Sequence, residues 1–324
     1  PYTTLFRSDM IDKYGADSLR YYLTTDVALG TDIRFDEVKI TSTWNYINKI
    51  WNASRYVLMN VEDLKEIKLD DLSLEDKWIL TKYENIVKSM TRHMERYEFN
   101  IAASELYSFV WDDFCSNYIE LSKRNIDSLT TKSVLYTLLS GIIKLLHPFM
   151  PFVTEEIYSM LPIKDSDSIM ISEYPKYDKT LVFDEVSKTV DKILEDIVEI
   201  RNIKATNKIT KDAFVIINES NPETLSIFTS QLKITDDKII NEPKTNLKSV
   251  YYESANIKIT YFFESDSEDE TKKQEEIKKL KESIARREKL LSNENYVNKA
   301  PKNIVDMDKQ KLEEEKQKLE LLIK

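Results

Sequence analysis

The spacing of apolar and polar positions is helical over most of the chain. Between Val38 and Asn60, Trp44, Ile47, Trp51, Ser54 and Leu58 recur at steps of three and four, which predicts a helix with that stripe facing a core. Beside the stripe runs a polar row of Asn45, Asn48, Asn52 and Arg55, flanked by Lys49 and Tyr56. Met10 to Leu29 reads as a shorter helical stretch interrupted at Gly15. Further helices are expected over 74–97, 100–123, 133–147 and 153–161. In the second of these, Ile101, Leu106, Phe109, Val110, Phe114 and Ile119 form a broad stripe suited to a bundle core.

The periodicity lapses between Pro162 and Lys179, which marks a connector. A helix at 184–204 then gives way to β-prone runs at 214–217, 238–240, 250–253 and 257–263, with a helix at 222–232 between the first two. That alternation predicts a small α/β module over 180–264. After the acidic break ESDSEDE, Ile277, Leu280, Ile284 and Leu291 fall on heptad a and d positions, with Arg287 the one polar residue in the seam. Val305, Leu312 and Leu319 return seven apart, Leu322 takes the next d position, and Asp308 and Glu315 occupy the d positions before it. Pro301 stops a single long helix, so 271–324 is expected to fold as an antiparallel coiled-coil hairpin. The fold class is mainly α: a helical bundle over 37–163 entered through 9–36, then the α/β module, then the hairpin.

Three asparagines and an arginine in one helical row cost helix propensity, because Asn competes for its own backbone. Amides and guanidinium groups present paired donors and acceptors to base edges, and Tyr56 offers a ring to an unpaired base. The plain alternative is a solvated face with interhelical hydrogen bonds. Composition narrows the classes further. With 324 residues, 41% hydrophobic and only 3 Gly, the chain has room for two folded domains and an extension. Cys115 is the sole cysteine and His93 and His147 the only histidines, so a disulfide framework or metal cluster is not expected, and a cytoplasmic setting is the default. No run of 18 apolar residues occurs, and no membrane partner is expected.

A net charge of -10 argues against a polyanionic partner, but 271–324 holds 15 Lys+Arg against 11 Asp+Glu. There Arg286, Arg287, Lys289, Lys299 and Lys302 could neutralise phosphates and Tyr296 could stack, against the alternative of a solvated coiled-coil flank. Arg34, Lys123 and Arg124 are open to the same two readings, phosphate contact or salt bridge and helix cap. Asp112, Asp113 and Glu120 invite acid–base chemistry, but no second catalytic element accompanies them, and His147 reads as a helix-end residue.

Several long strings carry a family resemblance. Asp32-Ile33-Arg34-Phe35, Trp44-Asn45, Asn48-Lys49 and Trp51-Asn52-Ala53-Ser54-Arg55-Tyr56 resemble the start of the anticodon-binding domain of valine-tRNA ligases. Upstream, the run from Lys13 to Arg20 resembles the segment that follows the signature lysine loop of class I synthetases. WDDFCSNYIELSK (111–123), LHPFMPFVTEEIY (146–158) and SNENYVNKAP (292–301) are similar to that family in order and spacing, the last to its terminal tRNA-binding arm. The resemblance implies an anticodon-binding bundle over 37–163, with Asn45, Asn48, Lys49, Asn52, Arg55 and Tyr56 at the anticodon. It implies tRNA backbone or corner contacts from Arg34, Lys123, Arg124, Arg286, Arg287, Lys289, Tyr296, Lys299 and Lys302. It further implies valine tRNA as partner to a monomer, with 9–36 a stem-contact region at the end of the catalytic core.

ATP and Mg serve the full-length family, but no His-x-Gly-His string, lysine-serine loop, phosphate cradle or zinc cluster occurs here. The expectation is a C-terminal piece that binds tRNA, holds no cofactor and does not activate valine alone; the editing domain is also missing. Pro1 to Ser8 fit nothing that follows and read like a translated sequencing adapter, a non-native segment in place of an ordinary divergent terminus. Competing readings are an isoleucine-tRNA ligase fragment, a family that commonly ends in a cysteine-bearing zinc module, a coiled-coil protein-interaction module, and a hydrolase built on Asp113.

Overall fold

A computed structural model of the chain describes residues 7–25, 36–61, 64–210, 212–219, 221–264, 267–292, 310–313, 315, 316 and 319, with the side chains of 7, 8 and 267–276 outside the description. Two compact units divide it. The first comprises Pro1–Asn207, Asn218–Asp236 and Glu253–Lys258. Its first corner is set by Gly15, whose φ of +82° only glycine adopts freely. The Gly15 N–H bonds Ile11 O at 2.8 Å, which ends α1 (Arg7–Tyr14) and lets α2 (Ala16–Thr25) begin. Asp17 on α2 is buried and accepts the N–H groups of Phe152 (3.3 Å) and Val153 (2.7 Å). It thereby caps α8 (Pro151–Ser159) from a distant part of the sequence.

Helix α3 (Glu37–Asn60) starts at Asp36, whose side chain accepts Val38 N–H at 2.9 Å. Its buried side is Ile40, Thr43, Tyr46, Ile50, Ala53, Ser54 and Val57. This corrects the stripe expected from the sequence: Trp44 is 44% exposed, while Ile47, Trp51 and Leu58 are half-buried. Thr43 and Ser54 enter the core because their hydroxyls bond back to Lys39 O (3.2 Å) and Ile50 O (2.8 Å), leaving no donor unpaired. Tyr46 fills the aromatic position instead of the tryptophans, 5.6 Å from Tyr21 and 4.6 Å from Tyr107.

Helix α4 (Leu74–Glu95) is the hub of the bundle. A capping box joins Ser73 and Asp76 at its start, and Trp78, Ile79, Leu80, Val87 and Met90 bury its core side. The next rod comprises α5 (Phe99–Ser108), a π-helical stretch (Phe109–Tyr118) and α6 (Ile119–Ser122). Phe109, Phe114 and Ile119 are all buried at intervals of five, and Ile119 N–H bonds Phe114 O. The turns are therefore wider than the α-helix expected over 100–123. Ile101, placed in the core stripe by the sequence, is 41% exposed, and Tyr118 is buried in the stripe instead.

Helix α7 (Leu129–Leu146) begins before the expected residue 133, capped by Ser128. By length and composition it is apolar enough to cross a membrane, yet most of it is buried in this bundle. Helix α9 (Asp184–Thr206) lies against α4, where Asp191 accepts Trp78 Nε1 and Lys82 Nζ, each at 2.9 Å. Helix α10 (Pro222–Leu232) docks on α9 through Arg201, which donates to Gln231 O at 2.8 Å.

The second unit comprises Lys208–Ile217, Asp237–Tyr252 and Ile259–Lys324. Its sheet has the strand order β1 (Phe214–Asn218), β3 (Lys258–Phe263), β2 (Lys248–Glu253), numbered by sequence. The run 238–240, expected as a strand, is not one. Asp236–Lys238 form a 3₁₀ turn, and Ile239 makes a single parallel bridge to Val215, with Ile240 N–H donating to Val215 O at 2.9 Å. Helix α11 (Ser267–Leu291) runs beside helical residues around Glu315. Ser283 Oγ (3.0 Å) and Arg287 Nε (3.1 Å) donate to Glu315, and Lys316 pairs with Glu288 at 2.7 Å. The polar residue in one expected seam, Arg287, thus meets one of the two acidic residues expected in the other, Glu315.

Candidate nucleic-acid interface

On α3, the side opposite the buried residues carries the polar row. Asn45, Asn52 and Arg55 are exposed and Asn48 is half-buried. None of the four side chains has a hydrogen-bond or ion-pair partner among the described residues. The interhelical hydrogen bonds that would have explained the row are therefore absent there. Trp44 and Trp51 border the same face. Trp44 lies one turn from Asn48, and Trp51 one turn from both Asn48 and Arg55, which places two indoles beside the amides and guanidinium. The sequence reading assigned both tryptophans to the core; their i, i+4 spacing to Asn48 and Arg55 was the available signal.

The two flanking residues turn inward. Lys49 Nζ donates to Ser116 Oγ at 2.8 Å and lies 3.8 Å from the centre of the Trp111 ring, which binds α3 to the π-helical stretch. Tyr56 is half-buried, and its hydroxyl is enclosed without a hydrogen-bond partner among the described residues. At the end of the π-containing rod, Lys123 is half-exposed and donates to Glu120 at 2.6 Å. Arg124 is mostly covered and holds Glu75 Oε1 through Nε (3.2 Å) and Nη2 (2.5 Å), with Asn125 Nδ2 adding a third bond at 3.1 Å. Glu75 is fully buried, and burial pushes its pKa up against the pull of Arg124. Arg124 is thus a structural counter-charge.

In the arm, Arg286 and Lys289 are exposed, whereas Arg287 is engaged with Glu315. Arg34, Tyr296, Lys299 and Lys302 lie outside the described residues. The carboxylates weighed for acid–base work do not converge: Glu120 is bound to Lys123 and Asp112 is exposed. Burial pushes Asp113 up to about 6, with Lys82 opposing it and Asp191 and Asp112 adding to it. His147 Nδ1 lies 2.8 Å from Thr154 Oγ1 at the α7–α8 corner, the helix-end role expected of it.

Comparison with known proteins places this geometry. Residues 76–217 match the family model described as the anticodon-binding domain of tRNA ligase, and 266–324 match the valyl tRNA synthetase tRNA binding arm. Helix α3, with its polar face, precedes the first matched stretch. A valine–tRNA ligase of Mesoplasma florum is 37% identical over 97% of this chain and 38% of its own length. One of Thermotoga maritima is 35% identical over 96% of this chain and 37% of its own length. One of Bacillus cereus is 45% identical over 61% of this chain and 23% of its own length. The chain spans little more than a third of the length of the curated relatives it matches. It belongs to the valine–tRNA ligase family, of which it carries the anticodon-binding domain and the tRNA-binding arm.

Proposed function

We propose that this chain is the tRNA-holding portion of a valine–tRNA ligase, with the outward face of α3 against the anticodon loop and an antiparallel coiled-coil arm over 271–324 against the outer corner of the same tRNA. The observation that carries the reading is the row Asn45, Asn48, Asn52 and Arg55, free of partners among the described residues and bordered by Trp44 and Trp51. Amides and a planar guanidinium match base edges two bonds at a time, and indoles take the faces of unpaired bases. The whole protein would join valine to its tRNA with ATP and Mg, as a cytoplasmic monomer. No residue here is assigned to that chemistry, which we place in the remaining length of the relatives.

The test is equilibrium binding of the chain to valine tRNA and to anticodon-loop variants of it, at low salt. A bidentate base contact is worth roughly 1–3 kcal/mol of discrimination, so Arg55→Ala or Asn52→Ala should narrow the preference for the valine anticodon about tenfold. Equal affinity of the unaltered chain for all anticodon variants would remove the α3 assignment. No binding to any tRNA would remove the whole reading.

A further inference from the structure

The two family matches end at residue 217 and resume at 266, so most of the second unit's sheet region is assigned to neither. That region encloses a cavity of 810 Å³, within the range of ligand-sized clefts, about 300–1,000 Å³. Phe214, Leu247 and Phe262 give its lining an apolar part, Lys238, Lys244 and Asn246 a cationic and polar one, and the carboxylates Asp212 and Glu264 line it as well. Both ammonium groups sit against one ring: Lys244 Nζ is 3.6 Å and Lys238 Nζ 5.4 Å from the centre of Phe214. Their environments differ. Lys238 has Asp212 and Asp237, each at 3.9 Å. Lys244 is exposed and has no carboxylate partner among the described residues; its contact is the face of the ring.

We infer that this groove holds one nucleotide of the bound tRNA, its phosphate on Lys244 and its base on the Phe214 ring. The inference rests on the tRNA-binding reading above but concerns a separate part of the chain. A lone phosphate would use the cation and leave the aromatic part wet. An acidic peptide would likewise bring no flat ring to the phenyl face. A nucleotide satisfies both the cationic and the apolar part, because every base has a π-face and every linkage a charge. Cation–π contacts at exposed sites are weak, so Lys244 can leave the ring for the phosphate and vacate the face that the base then covers. Asn246 supplies an amide beside that face.

The experiment is salt-dependent binding of the full chain to valine tRNA, comparing Lys244→Glu, Lys244→Arg and Phe214→Leu with the unaltered chain. Each phosphate contact contributes a log–log salt slope of about 0.7–0.9. Lys244→Glu should therefore weaken binding several-fold and flatten the slope by about one, whereas Lys244→Arg keeps both near the original. Phe214→Leu should weaken binding about tenfold with the slope kept, and thermal unfolding of each variant monitors its fold. In all three the preference among anticodon variants should stay as it was, since that preference is ascribed to α3. Unchanged affinity and slope in Lys244→Glu, while Arg55→Ala still narrows the anticodon preference, would overturn the groove alone. A loss in Lys244→Arg equal to that in Lys244→Glu would also overturn it, because charge would then not be what the tRNA reads. Failure of the unaltered chain to bind tRNA would overturn both readings.

Discussion

Glu84 lies on α4 almost wholly buried, with Oε2 accepting the N–H of Asp178 at 2.7 Å. Burial pushes its pKa up to about 7, the Asp178 N–H opposing and the Asp178 carboxylate adding to the rise. The folded chain therefore holds a proton that the unfolded chain has released. Its contribution to stability is complete below the ordinary glutamate range and is lost as pH rises through about 7. Asp113, pushed up to about 6 chiefly by burial, acts in the same direction. Stability is expected to fall between pH 5 and 8, with Glu84 contributing up to ~3 kcal/mol. Glu84→Gln keeps a carbonyl for Asp178 N–H and has no charge to bury, so it should flatten that fall and be the more stable protein at pH 8. Urea unfolding of both proteins at the two pH values checks this, and parallel losses would sink it. None of this was legible locally. In sequence Glu75, Asp76 and Glu84 look like the charged face of an amphipathic helix. What buries them is remote: Tyr118 (2.6 Å) and Thr131 (3.0 Å) on Asp76, and Arg124 on Glu75.

At the scale of elements, periodicity located the helices and misjudged two of their faces. On α3 the three-and-four spacing of Trp44, Ile47, Trp51 and Leu58 drew the stripe away from Tyr46; Ser54 in that stripe is indeed buried, while Thr43 was left out of it because its bond to the i−4 carbonyl is invisible in a pattern. The π-helical stretch was legible in principle, since Phe109, Phe114 and Ile119 stand five apart, but a 3.6-residue template absorbs such residues without protest. The polar row of α3 was recovered because partner-free amides leave a composition that core packing does not produce. Helix crossings leave no such trace. Gly141 on α7 faces Tyr83 on α4, and a Cβ there would collide with Tyr83 Oη and lie 2.5 Å from Cζ. Tyr83 is buried with its ring 6.1 Å from Phe109, so it has little room to withdraw. Gly141→Ala should destabilise the bundle by about 2 kcal/mol even though alanine is the better helix former. Adding Tyr83→Leu should recover part of that loss in denaturant unfolding. A Gly141→Ala protein as stable as the original would mean the two helices are not held at this distance.

For the whole molecule the proposed partner raises the question of how a chain of net charge -10 would hold a polyanion. With 15 Lys+Arg and 11 Asp+Glu in 271–324, the remainder carries -14, so the part with the helix proposed to face the anticodon would work against its own long-range field. The arm's surplus has to offset that repulsion. Its effective share is smaller than the count, since Arg287 is engaged with Glu315, leaving Arg286 and Lys289 as the exposed cations named for this role among the described residues. Each phosphate they meet should contribute about 0.7–0.9 to the salt slope. Truncation after Glu270 should therefore lower affinity for valine tRNA and for a non-cognate tRNA alike, and flatten the slope by about 1.4–1.8 if both cations are used. The ratio between the two tRNAs should stay fixed, because the base contacts proposed for Asn52 and Arg55 are untouched. Arg286→Ala with Lys289→Ala, in the full-length chain, should reproduce that flattening without the loss of chain length. Salt titrations of the three proteins against both tRNAs separate the outcomes. A truncated chain with full affinity would leave the arm without a role in binding, and a loss confined to valine tRNA would make it a reader of sequence instead of a clamp on the backbone.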